Sequence, residues 1–165
     1  MLAVIRIRGR TGIRPQAEKT VGLLRLHRIN HMVIIPESET TKGMLQVAKD
    51  YVTWGEIDRE TLIELLKTRA LLSGRKKLTE EFIKENLSLN GYEELADALL
   101  EGKIKYGDIP NIIPLFRMHP PAGGLEYIRK SVGEGGTAGY RGKDINKLIR
   151  RMLVPGVKLD GSNKN

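Results

Sequence analysis

Through the first 57 residues, short runs of β-branched and aliphatic residues alternate with helically spaced apolar positions, which confines the fold to helices packed on a sheet. Leu2 to Arg8 are rich in β-branched residues and alternate loosely, predicting a strand ended at Gly9. A basic loop, Arg10 to Arg14 with Gly12 inside it, leads to Pro15, a residue suited to a first helical position. Ala17, Val21 and Leu24 continue that helix, and Asn30 is its predicted break. Met32 to Ile35 make a second strand stopped by Pro36. Thr40 or Thr41 can cap a second helix with Met44, Val47, Ala48 and Tyr51 on one face, and Tyr51 to Ile57 give a third strand.

Beyond this unit the pattern turns helical. Asp58 caps a helix carrying Leu62, Leu65, Leu66 and Leu72 and ended by Gly74; Arg75-Lys76-Lys77 reads as a basic turn. Thr79 caps the next helix, and Tyr92 to Glu101 form another, with Gly102 as its stop. From Pro110 the texture changes again. Ile112 to Met118 predict a strand interrupted by Pro114, hence an edge or a bulge, and His119 to Gly124 exclude regular structure. Five glycines fall between Gly133 and Gly142, with no apolar residue before Ala138 to offset the cost of ordering them, so a flexible loop is expected. A helix over Asp144 to Leu153 follows, with Ile145, Leu148, Ile149 and Met152 inward and Lys147, Arg150 and Arg151 outward. The expected organisation is α+β: a β-α-β-α-β core over 1–57, a helical extension over 58–109, a basic strand, Gly-rich loop and helix over 110–153 completing the same domain, and a mobile tail over 154–165.

A chain of 165 residues with 40% hydrophobic content can fill one core, which must be aliphatic because aromatics are only 5%. The absence of cysteine removes disulfides, thiolate metal sites and cysteine nucleophiles together. No apolar run approaches the roughly 20 residues a membrane helix needs, and the N-terminus is apolar first and basic after, the reverse of a signal peptide. A soluble, cytoplasmic protein without a membrane partner is expected. Its charge of +8 is segregated: residues 1–53 hold 9 Lys/Arg against 4 Asp/Glu, residues 54–114 hold 9 against 12, and residues 115–165 hold 10 against 4. Two basic ends flank an acidic middle. That arrangement points to a polyanion, since clustered cations release phosphate counterions where scattered ones do not.

The catalytic alternatives fail on spacing. The glycines from Gly133 to Gly139 are one residue off the dinucleotide fingerprint and lack a strand before and a helix after. Gly142-Lys143 would place Thr137 where a phosphate loop needs glycine, and Asp144 where it needs Ser or Thr. His27 and His31 have two-His metal spacing, but no glutamate stands next to the first histidine, Asn30 interrupts the helix and no third ligand is evident, so ordinary polar or RNA-contacting roles are expected. His119 has no adjacent serine or carboxylate. No enzymatic activity, cofactor or metal is expected.

Leu2 to Gly9, Arg14-Pro15, His27-Arg28-Ile29-Asn30-His31, Ile35-Pro36-Glu37, Thr41-Lys42-Gly43-Met44 and Tyr51-Val52-Thr53-Trp54-Gly55-Glu56 occur in an order that resembles the large-subunit ribosomal protein L-thirty family. Leu115 to Pro121 with Gly123-Gly124, and Glu134-Gly135-Gly136, are similar to the extension of its archaeal form and of the eukaryotic L-seven family. Ala122 departs from the pattern where a basic residue is often seen, and the tail after Leu153 has no counterpart. The resemblance implies a largely antiparallel three-stranded core with helices on one face and a helical extension. It also implies a non-catalytic constituent of the large subunit that binds ribosomal RNA near the 5S RNA, beside neighbouring ribosomal proteins. The residues expected to meet RNA are Arg8, Arg10, Arg14, Arg28, Lys42, Arg117, His119, Arg129, Lys130, Arg141 and Lys143. The rivals are a stand-alone nucleic-acid-binding regulator and an RNA-modifying enzyme.

Overall fold

A computed structural model describes residues 1–153; the expected mobile tail lies outside the described residues. The elements run β1 (Leu2–Arg6), α1 (Pro15–Leu23), β2 (His31–Ile35), α2 (Glu39–Ala48), β3 (Val52–Glu56), α3 (Arg59–Arg69), β4 (Leu71–Leu72), β5 (Lys76–Lys77), α4 (Glu80–Leu87), α5 (Tyr92–Leu100), β6 (Phe116–Arg117), β7 (Gly139–Tyr140) and α6 (Ile145–Met152). The fold is α+β. Five strands form one sheet in the order β6-β2-β1-β3-β7, with β1 antiparallel to both neighbours, β6 antiparallel to β2, and only β7 parallel to its partner. Strands β4 and β5 make a separate two-stranded hairpin.

The core helices lie on one face of the sheet, as the resemblance implied, and the extension together with α6 covers the other. Leu2, Val4, Val33, Val52 and Trp54 pack with Val21, Leu24, Leu45 and Ala48 beneath α1 and α2. Ala3, Ile5, Met32 and Ile34 pack on the opposite side with Leu62, Leu65, Leu66, Leu95, Leu99, Ile145 and Ile149 of α3, α5 and α6. A strand buried on both faces needs apolar residues at successive positions, which is why Leu2 to Ile5 alternate only loosely. Burying such side chains is the main stabilising term, roughly 1.5–3 kcal/mol for each large aliphatic group.

Several boundaries differ from the sequence expectation for local reasons. Helix α1 ends at Leu23 because Arg25 takes a left-handed conformation and the Leu26 amide returns to Val21 O, a Schellman-type stop that needs no glycine here. The α2 cap is Ser38, not Thr40 or Thr41; its hydroxyl accepts from the Thr41 amide while Thr41 Oγ1 accepts from the Ser38 amide. Leu45 takes the buried position on that helix and Val47 is exposed. Asp58 and Thr79 cap α3 and α4 as expected. The leucines after Arg69 are not helical: Leu71–Leu72 pair with Lys76–Lys77 around Gly74, so the basic turn is half a hairpin.

The glycine stretch is folded rather than a featureless loop. Val132–Glu134 form a 3-10 turn, the Ala138 amide donates to Lys130 O, Thr137 and Ala138 are buried, and β7 joins the sheet. Gly136 permits this closure, because a Cβ there would collide with the Lys130 backbone. Arg151, expected outward, folds back to donate to Ala122 O and Gly124 O, holding the His119–Gly124 segment on the end of α6.

Candidate nucleic-acid interface

The antiparallel ladders gather distant residues at two opposite ends of the sheet. Arg6 pairs with Val52, Ile5 with Met32 and His31 with Arg117, so one end holds the C-termini of β1 and β6 and the N-termini of β2 and β3. The chain leaving β1 there carries Arg8, Arg10 and Arg14, and the turn entering β2 carries His27 and Arg28. Arg8 is half-buried, its guanidinium carbon 4.9 Å from the Tyr51 ring centre, a cation–π arrangement. Arg10 is exposed and donates through Nε and Nη2 to His27 O at 3.3 and 3.2 Å, tying the two loops together. Arg14 is exposed at the start of α1, where its backbone N–H donates to Tyr51 Oη. Arg28 and Arg117 are exposed on the same rim.

Arg69, which sequence reasoning did not single out, extends this rim from α3. Its guanidinium donates to Arg117 O, and its Nη1 lies 3.1 Å from His119 Nε2. Burial and then the Arg69 charge hold the His119 imidazole below its usual pKa, which favours the neutral ring. His31 is depressed likewise, by burial first and then by Arg117, Arg28, His27 and Arg6. Every ion pair found among the described residues lies away from these arginines: Arg59 with Asp97, Arg150 with Glu60 and Glu64, and three lysines with nearby acids.

The remaining candidates separate. Arg129 and Lys130 are exposed in the segment leading to β7, Lys130 Nζ lying 4.9 Å over the Tyr127 ring. Arg141 is half-buried and occupied, donating to Thr53 Oγ1 at 2.8 Å and Thr137 O at 3.0 Å, and burial lowers its pKa. Lys42 sits near the opposite end of the sheet in an ion pair of 3.2 Å with Glu37, and Lys143 lies close enough to Glu56 to lower its pKa slightly. The structure therefore does not bring Lys42 and Lys143 together with the arginine rim. No group of three or more His, Asp or Glu side chains able to hold a metal occurs among the described residues, and no described helix is long and apolar enough to cross a membrane.

Residues 2–52 match the family described as Ribosomal protein L30p/L7e. Over the full length of both chains, the sequence is 58% identical to the Large ribosomal subunit protein uL30 of Thermoplasma volcanium and 58% identical to that of Thermoplasma acidophilum. The protein of the same name from Nanoarchaeum equitans is 50% identical over 155 residues, covering 93% of this chain and 99% of that one. This chain belongs to the uL30 family of large-subunit ribosomal proteins. The uL30 family is structural and non-enzymatic, and its members work in the cytoplasm as constituents of the ribosome, in agreement with the failed catalytic motifs.

Proposed function

We propose that this uL30 chain binds large-subunit ribosomal RNA through the basic end of its sheet and thereby holds the RNA fold in place. The observation that carries this reading is the convergence of Arg8, Arg10, Arg14, Arg28 and Arg117 on one rim from which ion-pairing carboxylates are absent among the described residues. Cations with no carboxylate partner keep charge available to phosphate oxygens, and the two-sided hydrophobic core holds them in register against a shaped RNA surface. Arg129 and Lys130 extend the contact along the β7 edge, His119 adds a neutral ring for stacking or hydrogen bonding, and Arg141 supports the surface from behind. Lys42 and Lys143 are secondary contacts at most. The bound RNA lies near the 5S RNA, as the family resemblance implies, and other large-subunit proteins adjoin the acidic α3–α5 side, whose like charge disfavours phosphate.

Hydroxyl-radical footprinting of the protein on large-subunit RNA tests this directly. Protection that disappears with Arg10→Ala and Arg14→Ala together, and persists with Lys42→Ala, is expected. Protection insensitive to both changes would place the RNA surface elsewhere, and co-sedimentation with large subunits distinguishes a ribosomal constituent from a free regulator.

A further inference from the structure

Arg6 is the one charged residue that is fully buried among the described residues, at 2% exposure. Its Nη1 donates to Leu26 O at 2.7 Å and its Nε to Arg8 O at 2.8 Å, but Nη2 is buried with no partner among the described residues. A guanidinium stays charged even when buried, and no carboxylate lies within ion-pairing distance of it among the described residues. Burial and then the Arg10 charge work against its positive charge, and Glu18 offsets them less than either.

Arg6 is not alone. The β1–β2 ladder runs from Leu2–Ile35 to Ile5–Met32; just beyond it the Asn30 N–H donates to Arg6 O at 2.9 Å, which holds Arg6 against the start of β2, and His31 there is directly opposite Arg117 on β6. Directly opposed residues of an antiparallel sheet point to the same face. His31 and Arg117 therefore share a face, and Arg6 on the next strand is near enough for its charge to act on the His31 imidazole, as are Arg28 and His27, so that Arg6, His31 and Arg117 make a row across three neighbouring strands. His31 Nδ1 is also buried and without a partner among the described residues. Positive charges held close together with no counter-charge cost stability, and a row containing two unneutralised arginines and two nitrogens without a partner among the described residues is completed by an anion.

We propose that the Arg6–His31–Arg117 row is a built seat for one phosphate group, which in the ribosome is a backbone phosphate of the RNA. Arg117 makes the contact from the exposed rim and His31 lies beside it. Arg6 is a positioning residue: it fixes the loop after β1 through Arg8 O and the turn before β2 through Leu26 O, and supplies a buried positive charge beneath the anion. The inference rests on the RNA-binding reading but localises it to a row of residues.

Two measurements test the seat. On free protein, inorganic phosphate is titrated against chloride at matched ionic strength while the side-chain resonances of Arg6 and His31 are followed by NMR. They are expected to shift together and saturate, and the shift should be lost in Arg117→Gln. Absence of a phosphate-specific shift would overturn the seat, with no variant needing to fold. On large-subunit RNA, Arg117→Gln should bind roughly tenfold more weakly, the loss of one charge-assisted contact, and with a salt slope smaller by about one. Its melting temperature should hold or rise, because a repulsive neighbour has gone. An unchanged slope, or a marked fall in melting temperature, would show Arg117 to be structural and sink the proposal. If the unaltered protein bound no ribosomal RNA, the functional reading would fall instead, and the phosphate titration would still decide whether the seat exists.

Discussion

The two ends of the same sheet treat charge in opposite ways. At one end, Arg6, Arg8 and Arg10 donate to backbone carbonyls, and none of Arg6, Arg8, Arg10, Arg28 and Arg117 pairs with a carboxylate among the described residues. At the other, Lys42 pairs with Glu37, and Tyr140 Oη donates to Glu56 Oε1 at 2.6 Å while its ring tilts against Trp54 at 6.3 Å. Both ends are built on the same three central strands, so the difference lies in which loops the antiparallel order brings together. Polar groups paired within the protein stabilise it and are unavailable to a ligand; cations left unpaired cost stability and are available. The net charge of each chain segment does not reveal this sorting, since Arg69 of the acidic middle stands on the basic rim.

The largest expected effect lies toward the paired end. A Cβ on Gly55 would run into the Gly142 carbonyl and crowd Ile145, because β3 and the turn before α6 are nearly in backbone contact there. Gly55→Ala should destabilise the protein by about 3 kcal/mol through forced separation of these segments, read as a lower urea midpoint. The folded fraction should bind RNA with an unchanged salt slope, since the arginine rim is untouched. A variant as stable as the parent would mean that the 139–144 segment is not held against β3 in solution.

A smaller effect on stability and a larger one on binding are expected at the basic end. Replacing Arg10 and Arg14 by alanine removes two candidate phosphate contacts and should reduce the slope of log affinity against log salt by roughly one to two. Arg10 also bonds to His27 O, but in an exposed setting, so unfolding free energy should fall by only about 0.5 kcal/mol. Lys42→Ala, at the paired end, should leave the slope as it was. Equal slopes for both variants would erase the distinction between the ends.

The legible features were those set by neighbours in sequence. Asp58 and Thr79 announce their helices because a cap bonds an amide three residues away, and Gly102 ends α5 because its positive φ suits glycine. The β-α-β-α-β order was readable from the change of period. What escaped depends on partners far along the chain. The two-residue strands β4, β5, β6 and β7 are too short to show a period, the left-handed Arg25 that ends α1 is not a residue type that announces such a conformation, and Ser38 stands close to Thr40 and Thr41, which are equally able to cap. The arginine loops were visible as basic segments. Arg6 was not, because inside an apolar strand it reads as one more alternating residue, and the row it forms with His31 and Arg117 exists only through register.

The finest test of the contrast is the pH dependence of the paired end. The hydrogen bond from Tyr140 holds the Glu56 carboxyl below its usual range, outweighing the burial that would raise it, and the same bond raises the Tyr140 phenol. A depressed carboxyl contributes stability that is present above its unfolded pKa and lost as pH falls through the folded one; a raised phenol contributes stability that is present below its unfolded pKa and lost as pH rises through the folded one. The bond is therefore fully expressed between the carboxylate and phenol ranges. Tyr140→Phe keeps the ring beside Trp54 and removes only the donor. With Tyr140 54% exposed, solvent screening limits the loss to roughly 0.5–1 kcal/mol near neutral pH. Denaturant melts across pH should show the two proteins converging below the carboxylate range and again above the phenol range. A difference that stayed constant with pH would mean that Tyr140 acts by packing alone and that this end is not held by a charge-assisted bond. Binding to RNA at neutral pH should be the same for both proteins, because no atom of this pair faces the arginine rim.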